Sequence, residues 1–352
     1  MTIPDPSKTA SPFEAGTPAP STKADAPAKP PRARTRPLRH MLLWLVAATV
    51  MLGSYSYQKR TGPTYPLRGQ IKVEGGSVVV PYSLVRSQET TSPARVTLPD
   101  LLGEGAKAEV TYRRYPTDDA WTMLPMVSAH NDPDAANSRS TADGDPVLAA
   151  ELPIQPAAGK IEYYITITEP NGMVAFRIPD AVSPPDTLGQ SEEKAIILRY
   201  KDPVPDAILI PHIIMMFFSI LLGIRAGLAA LFESWGIRRW LWIAFIGMSV
   251  GGMILGPIVQ KYAFGVYWSG FPDSSDLTDN KMLVMWLTWL VAVLVAGLTT
   301  RPLGWLRRGA VVVAAVVMFG VYLIPHSMRG SELNYDRLEE VADPHEAIGT
   351  GS

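Results

Sequence analysis

Apolar residues run along this chain in two different rhythms. Five nearly uninterrupted apolar stretches occupy residues 41–57, 208–232, 240–260, 282–298 and 309–324. Each approaches the roughly 20 residues that a helix needs to cross the hydrocarbon core of a bilayer, so each predicts a membrane-spanning helix. Between residues 66 and 200 the period becomes two. In KAEVTYRRY (107–115), Ala108, Val110 and Tyr112 alternate with Lys107, Glu109 and Thr111. In KIEYYITITE, Ile161, Tyr163, Ile165 and Ile167 alternate with Glu162, Tyr164, Thr166 and Thr168. Such alternation belongs to strands with one buried face. QIKVE, SVVVPYSLV, RVTL, WTMLPMV, LAAEL, MVAFRIP and AIILRYK predict further strands, separated by turn signals such as EGG, PTDD, NDPD, ADGDP, PAAG and EPNG. About eight or nine short strands with no helix between them predict an antiparallel β-sandwich. The expected fold class is therefore an α+β membrane protein, with five transmembrane helices and the sandwich inserted between helices 1 and 2.

Within this region, YRRYPTDDAWTMLPM followed by LPIQPAAGKIEYYITITEPNG resembles bacterial immunoglobulin-like and fibronectin-III-like domains. In those domains a hairpin ends in a buried Trp, and a later strand reads Y-Y-x-I before an acidic or Pro/Asn-Gly turn. The resemblance covers this domain only and implies adhesion, spacing or protein recognition rather than chemistry. Trp121 and Tyr163 are expected in the core.

Charge sets the expected orientation. Arg32, Arg34, Arg36 and Arg39 precede the first span, Arg238 and Arg239 separate spans two and three, and Arg301, Arg307 and Arg308 separate four and five. The positive-inside rule assigns these segments to the cytoplasm. YWSGFPDSSDLTDNK carries three aspartates and one lysine and belongs outside. The expected location is a bacterial inner membrane, with a cytoplasmic N-terminus and with the β-domain and C-terminus extracytoplasmic. The organisation reads as a disordered Pro/Ala-rich tail (1–39), a signal anchor (40–58), the sandwich (62–203), a four-helix bundle (206–326) and a loose tail (327–352). An anchor is preferred to a cleaved leader because forty residues precede it and no A-x-A site follows. Arg225, inside the second span, is expected to snorkel to the cytoplasmic interface. Gly247, Gly251, Gly252 and Gly256 have the spacing of close helix packing, within the bundle or across a dimer.

Cysteine is absent, which removes disulfides, thiolate metal sites, c-type haem and thiol nucleophiles. A net charge of −1 gives no basic surface for nucleic acid. Phosphate loops, dinucleotide fingerprints, nucleophile elbows and zincin motifs do not occur in the sequence, and an enzyme is not favoured. The loop with Asp132, Asp134, Asp143 and Asp145 lacks the spacing of a calcium loop and reads as solvated surface.

The remaining candidate is a polar rim at one membrane depth. LIPH occurs twice and places His212 and His326 at matching ends of spans two and five. Lys261, Tyr262, Asp276, Asp279, Lys281, Arg329 and Glu332 fall near the same depth. In one reading the two histidines hold b-type haem or frame a quinone. In a second, Met215, Met216 or Met328 helps bind a metal such as copper. In the third, which the sequence favours, the rim pairs internally and seats the sandwich, with Asp279 or Thr278 capping span four. That reading needs neither cofactor nor metal. It makes the chain an accessory, scaffold or assembly subunit with a membrane or periplasmic protein partner.

Overall fold

The structure, a computed structural model, describes residues 37–73, 78–100, 105–130, 146–169, 172–180, 191, 194–233, 235–272, 276–324 and 330–349. The N-terminal tail before residue 37 and the acidic 131–145 loop lie outside them. Helix and sheet are mixed, and five helices are long and apolar enough to cross a membrane. They are α1 (Pro37–Thr61), α2 (Asp206–Phe232), a rod Ile237–Phe264, a helix Leu277–Gly297 and α6 (Trp305–Leu323). The rod joins α3 (Ile237–Met248) to α4 (Gly256–Phe264) through a π-helical segment, Ser249–Leu255. The fourth helix is α5 (Leu277–Ala292), which ends in a π-helical turn, Val293–Gly297.

Local chemistry sets the helix starts. Pro203 and Pro205 separate α2 from the strand before it, and Asp206 complements the dipole in its first turn. Asp276, rather than Asp279 or Thr278, caps α5 by accepting from the Thr278 N–H at 2.6 Å. Asp279 is drawn to the loop before the helix instead.

Small residues let the helices approach closely. A Cβ at Gly227 of α2 would lie 2.5 Å from Ala315 Cβ of α6, and one at Gly251 would lie 2.8 Å from Met215 Cβ. Gly247 meets Ser219 in the same way, and Gly252 meets Met282. The glycine stripe of the third helix is thus used in contacts within the chain. Ala226, Ala229, Leu241, Ala244, Met248, Trp289, Ala314 and Met318 complete this core.

In chain order, eleven described strands lie between α1 and α2. They are β1 (Leu67–Val73), β2 (Val78–Leu84), β3 (Ser87–Glu89), β4 (Ala94–Pro99), β5 (Lys107–Tyr115), β6 (Thr122–Pro125), β7 (Val127–His130), β8 (Pro146–Leu152), β9 (Lys160–Thr168), β10 (Val174–Ile178) and β11 (Ile196–Lys201). β1 pairs with β2, a second sheet runs β4-β8-β7, and the largest runs β3-β11-β9-β5-β6 with β10 also on β9. Pairing is antiparallel except between β3 and β11, which departs from the purely antiparallel expectation.

One core draws on all three sheets, including Val80, Leu84, Val96, Leu98, Val110, Leu152, Ile161, Tyr163, Ile165, Leu198 and Tyr200. Tyr163 is fully buried and donates to the Val85 carbonyl at 2.8 Å. Trp121 is only half-buried and stands edge-on to Tyr164 at 5.2 Å, with the Arg113 guanidinium 4.5 Å above its ring. Successive strand residues point to opposite faces, so the partner of Tyr164 does not share the core of Tyr163. Trp121 is therefore corrected from core to a half-exposed face.

Residues 330–349, within the tail expected to be loose, form regular elements. β12 (Glu332–Leu333) pairs with β13 (Ile348–Gly349), enclosing α7 (Tyr335–Leu338) and a 3-10 turn, Pro344–Ala347. Leu333, Tyr335, Ala347 and Ile348 bury themselves against Ala157 and Ala158 of the sheet region, with Phe264 packed alongside.

Candidate functional site

The site is a joint where the sheets, one end of the helices and the C-terminal segment meet. Its helical side is built on Ser269. Asp279 Oδ2 accepts from the Ser269 N–H at 2.7 Å and lies 3.1 Å from its hydroxyl, while Asp276 Oδ2 lies 3.0 Å from the same hydroxyl. Gln260 donates to Ser269 Oγ at 2.6 Å, and the Ser331 hydroxyl approaches it at 3.4 Å. Gly330, at φ 128°, lies so close to Asp276 that a Cβ there would overlap the carboxylate. Position 330 therefore needs glycine both for its backbone and for space.

The sheet side supplies two buried cations. Arg199 donates to the Ser331 carbonyl at 2.5 Å and stacks over Phe264 at 4.0 Å. Burial pulls its pKa down to about 10, against the opposing pull of Asp276 and Glu332. Lys160 pairs with Glu332. The Tyr335 hydroxyl bonds to the backbone of Lys160, and burial raises its pKa to about 12. At the pivot between β11 and α2, Asp202 Oδ2 lies 2.8 Å from His345 Nε2, and its Oδ1 accepts from the Thr90 hydroxyl at 2.5 Å. Its N–H donates to the Ala263 carbonyl at 3.0 Å.

The expected rim divides. Asp276 and Asp279 converge. Glu332 goes to Lys160, Lys281 donates to the Ile324 carbonyl at 2.8 Å, and Lys261 donates to the Gly265 carbonyl at 2.5 Å. Tyr262 is exposed. His326, Met328 and Arg329 lie outside the described residues, so the histidine pair is not part of the site described. His212 is half-buried, with its Nδ1 2.8 Å from the Gly251 carbonyl. A carbonyl only accepts, so Nδ1 carries the proton and Nε2 is the acceptor. Met215 and Met216 border Gly251 and Gly252 in the helix contact. Among the described residues no group of three or more His, Cys, Asp or Glu is arranged to hold a metal.

At the far end of the helices lies a cluster the sequence reading missed. Arg225 does not snorkel; it is fully buried. Its Nη2 lies 2.7 Å from Glu233 Oε2 and 2.9 Å from His40 Nδ1, between the rings of Trp44 and Trp240. The Trp44 indole donates to His40 Nε2 at 3.3 Å. Arg308 covers the end of α2 by donating to the Ala230 and Glu233 carbonyls at 2.6 and 2.7 Å. Partners on two helices remove the reason for Arg225 to reach water. The signal available in sequence was Glu233 two turns beyond Arg225, with His40 heading the first span.

Missed at the joint were Arg199, Lys160, Ser269, Asp202, Tyr335 and His345, all contributed by strands, loops or the supposed tail. Their arrangement fixes bodies together through charges bonded to backbone and to one another. Compared with known proteins, the chain matches no protein-family model and no curated protein.

Proposed function

We propose that this chain is an integral membrane accessory or assembly subunit that presents an extracytoplasmic β-sandwich (62–203) to a membrane or periplasmic protein partner. The observation that carries this reading is the three-way joint, in which residues 330–349 engage strands β9 and β11 and the loop around Ser269 together. Such a joint sets the direction in which the sheets face. A bacterial inner-membrane location with a cytoplasmic N-terminus is supported by the arginine-rich 238–239 and 301–308 connections and by the acidic loop at the opposite end.

The sheets also carry residue types common at binding hot spots. Arg113, Trp121, Tyr164 and Arg177 form a row, each guanidinium over one ring and the two rings edge-on, and Met123 and Val127 are exposed on edge strands. The test is a photo-crosslinking residue placed at Met123 or Val127, against a control at lipid-facing Ile254, in intact cells. A discrete adduct from the sheet positions alone supports recognition; equal or no adducts at all positions sink it.

A second reading rests on His212, whose Nδ1–H is oriented by a backbone carbonyl so that Nε2 is presented as an acceptor, as in ligating imidazoles. It makes the chain a redox subunit holding haem b or a quinone. A Soret band, or a co-extracted quinone, lost in His212→Ala would put this reading ahead of the scaffold.

A further inference from the structure

His345 stands in the 3-10 turn of the C-terminal strap, with a carboxylate at each ring nitrogen. Nε2 lies 2.8 Å from Asp202 Oδ2, and Nδ1 lies 3.0 Å from Asp343 Oδ1. A neutral imidazole carries one N–H, so it donates to one carboxylate and turns a lone pair towards the other. Only the imidazolium donates to both. The two carboxylates belong to different bodies: Asp343 is in the strap, and Asp202 is the pivot tied to Thr90 and Ala263. Gly265, at φ 77°, leaves the space in which the imidazole lies, since a Cβ there would sit 2.5 Å from its ring.

We propose that His345 is a proton-operated latch, closing the C-terminal strap onto the pivot between sheets and helices when charged and easing it when neutral. The charged groups facing it are Asp202 from the pivot and Asp343 from the strap, with Lys261 of α4 acting on Asp343 from the loop side. Partial burial opposes the charge on His345, but its bonds to the two carboxylates outweigh burial and raise its pKa above the ordinary value. Asp343 is lowered, through its bonds from the backbone and ring of His345.

The stabilisation from His345 is fully present below the ordinary imidazole pKa of about 6.5 and is lost as pH rises through the raised value. The share from Asp343 is lost only in strong acid, as pH falls through its lowered value. The strap is therefore tightest below the ordinary imidazole pKa and eases as pH rises through the raised His345 value. Its release loosens β13 from β12, and with it the cover over Arg199 and Lys160. The latch acts whichever partner the sheets take.

The test is hydrogen exchange of the full chain in lipid nanodiscs at about pH 6 and about pH 8.5, values on either side of an imidazole titration. Intrinsic base catalysis is corrected for, and β9 is the internal control. Peptides covering 339–349 should open more at the higher pH, on the order of tenfold for each pH unit by which folding raises the His345 pKa. In His345→Gln the pH response should vanish. Equal opening at both pH values, or an undiminished response in the variant, overturns the latch. Should the variant lose the strap altogether, carbon-labelled histidine NMR of the unaltered chain decides. A His345 midpoint above the ordinary value, lowered by Asp202→Asn, sustains the proposal; a midpoint at or below the ordinary value ends it.

Discussion

The Tyr335 hydroxyl accepts from the backbone N–H of Lys160 at 2.9 Å and donates to the carbonyl of the same residue at 2.8 Å. One side-chain atom thereby satisfies both polar groups of a buried strand residue 175 positions away. Tyr335→Phe removes both bonds and should cost about 1–3 kcal/mol, the usual range for buried hydrogen bonds lost from one side. Denaturation in detergent, followed by protease cleavage within 330–349, measures it; an unchanged midpoint would show the bond to be replaceable. In the folded protein Tyr335 stays protonated until pH about 12. Its contribution should hold up to the ordinary tyrosine pKa of about 10 and decline between there and about 12.

Arg225 and Glu233 form a buried pair, and removing one partner leaves the other as an uncompensated charge. Arg225→Leu or Glu233→Gln alone should destabilise by about 3–5 kcal/mol, whereas the double replacement should recover much of that loss. A double-mutant cycle on thermal melts reads the coupling. Additive losses would mean that the two charges do not depend on each other.

Two helical glycines should respond in opposite ways. Gly227→Ala drives a Cβ to within 2.5 Å of Ala315 and should cost about 1–3 kcal/mol through overpacking. Gly320→Ala meets nothing within 4 Å and should be neutral or slightly stabilising. Comparing the melting points of the two variants in one detergent checks the α2–α6 contact directly.

On the sheets, Tyr163→Ala empties a fully buried site and should cost about 3–5 kcal/mol. Trp121→Ala removes a half-exposed ring beneath Arg113 and should cost about 1 kcal/mol or less, while weakening any adduct formed at Met123. Urea titrations of the two variants separate core from surface; equal losses would contradict the face assignment.

The apolar spans and the alternation of β5 and β9 were legible because each reflects a local period imposed by the surroundings of one element. The joint was not. Ser331, Glu332 and Tyr335 lie in a polar stretch without period, and their partners Arg199 and Lys160 are charged residues of strands, a type with no local mark of burial. Only tertiary contact turns those positions inward. Trp121 was misplaced because a large aromatic suits either a core or a stacked arginine row, and the sequence does not distinguish them. For Arg225, snorkelling was expected because its partners were not legible, His40 being 185 residues away.

Helix α1 is tied at both ends, by His40 to Arg225 and Glu233, and by Gln58 to the Tyr322 and Ile324 carbonyls at the end of α6. The latter partners lie up to 266 residues downstream. During synthesis, then, the first helix is made long before the groups that hold it exist. The eleven described strands are made in the interval, before either set of partners has been synthesised. The helical unit can close only when the last span arrives, so its assembly is a terminal event, and a chain stopped before Tyr322 leaves α1 fastened at one end only.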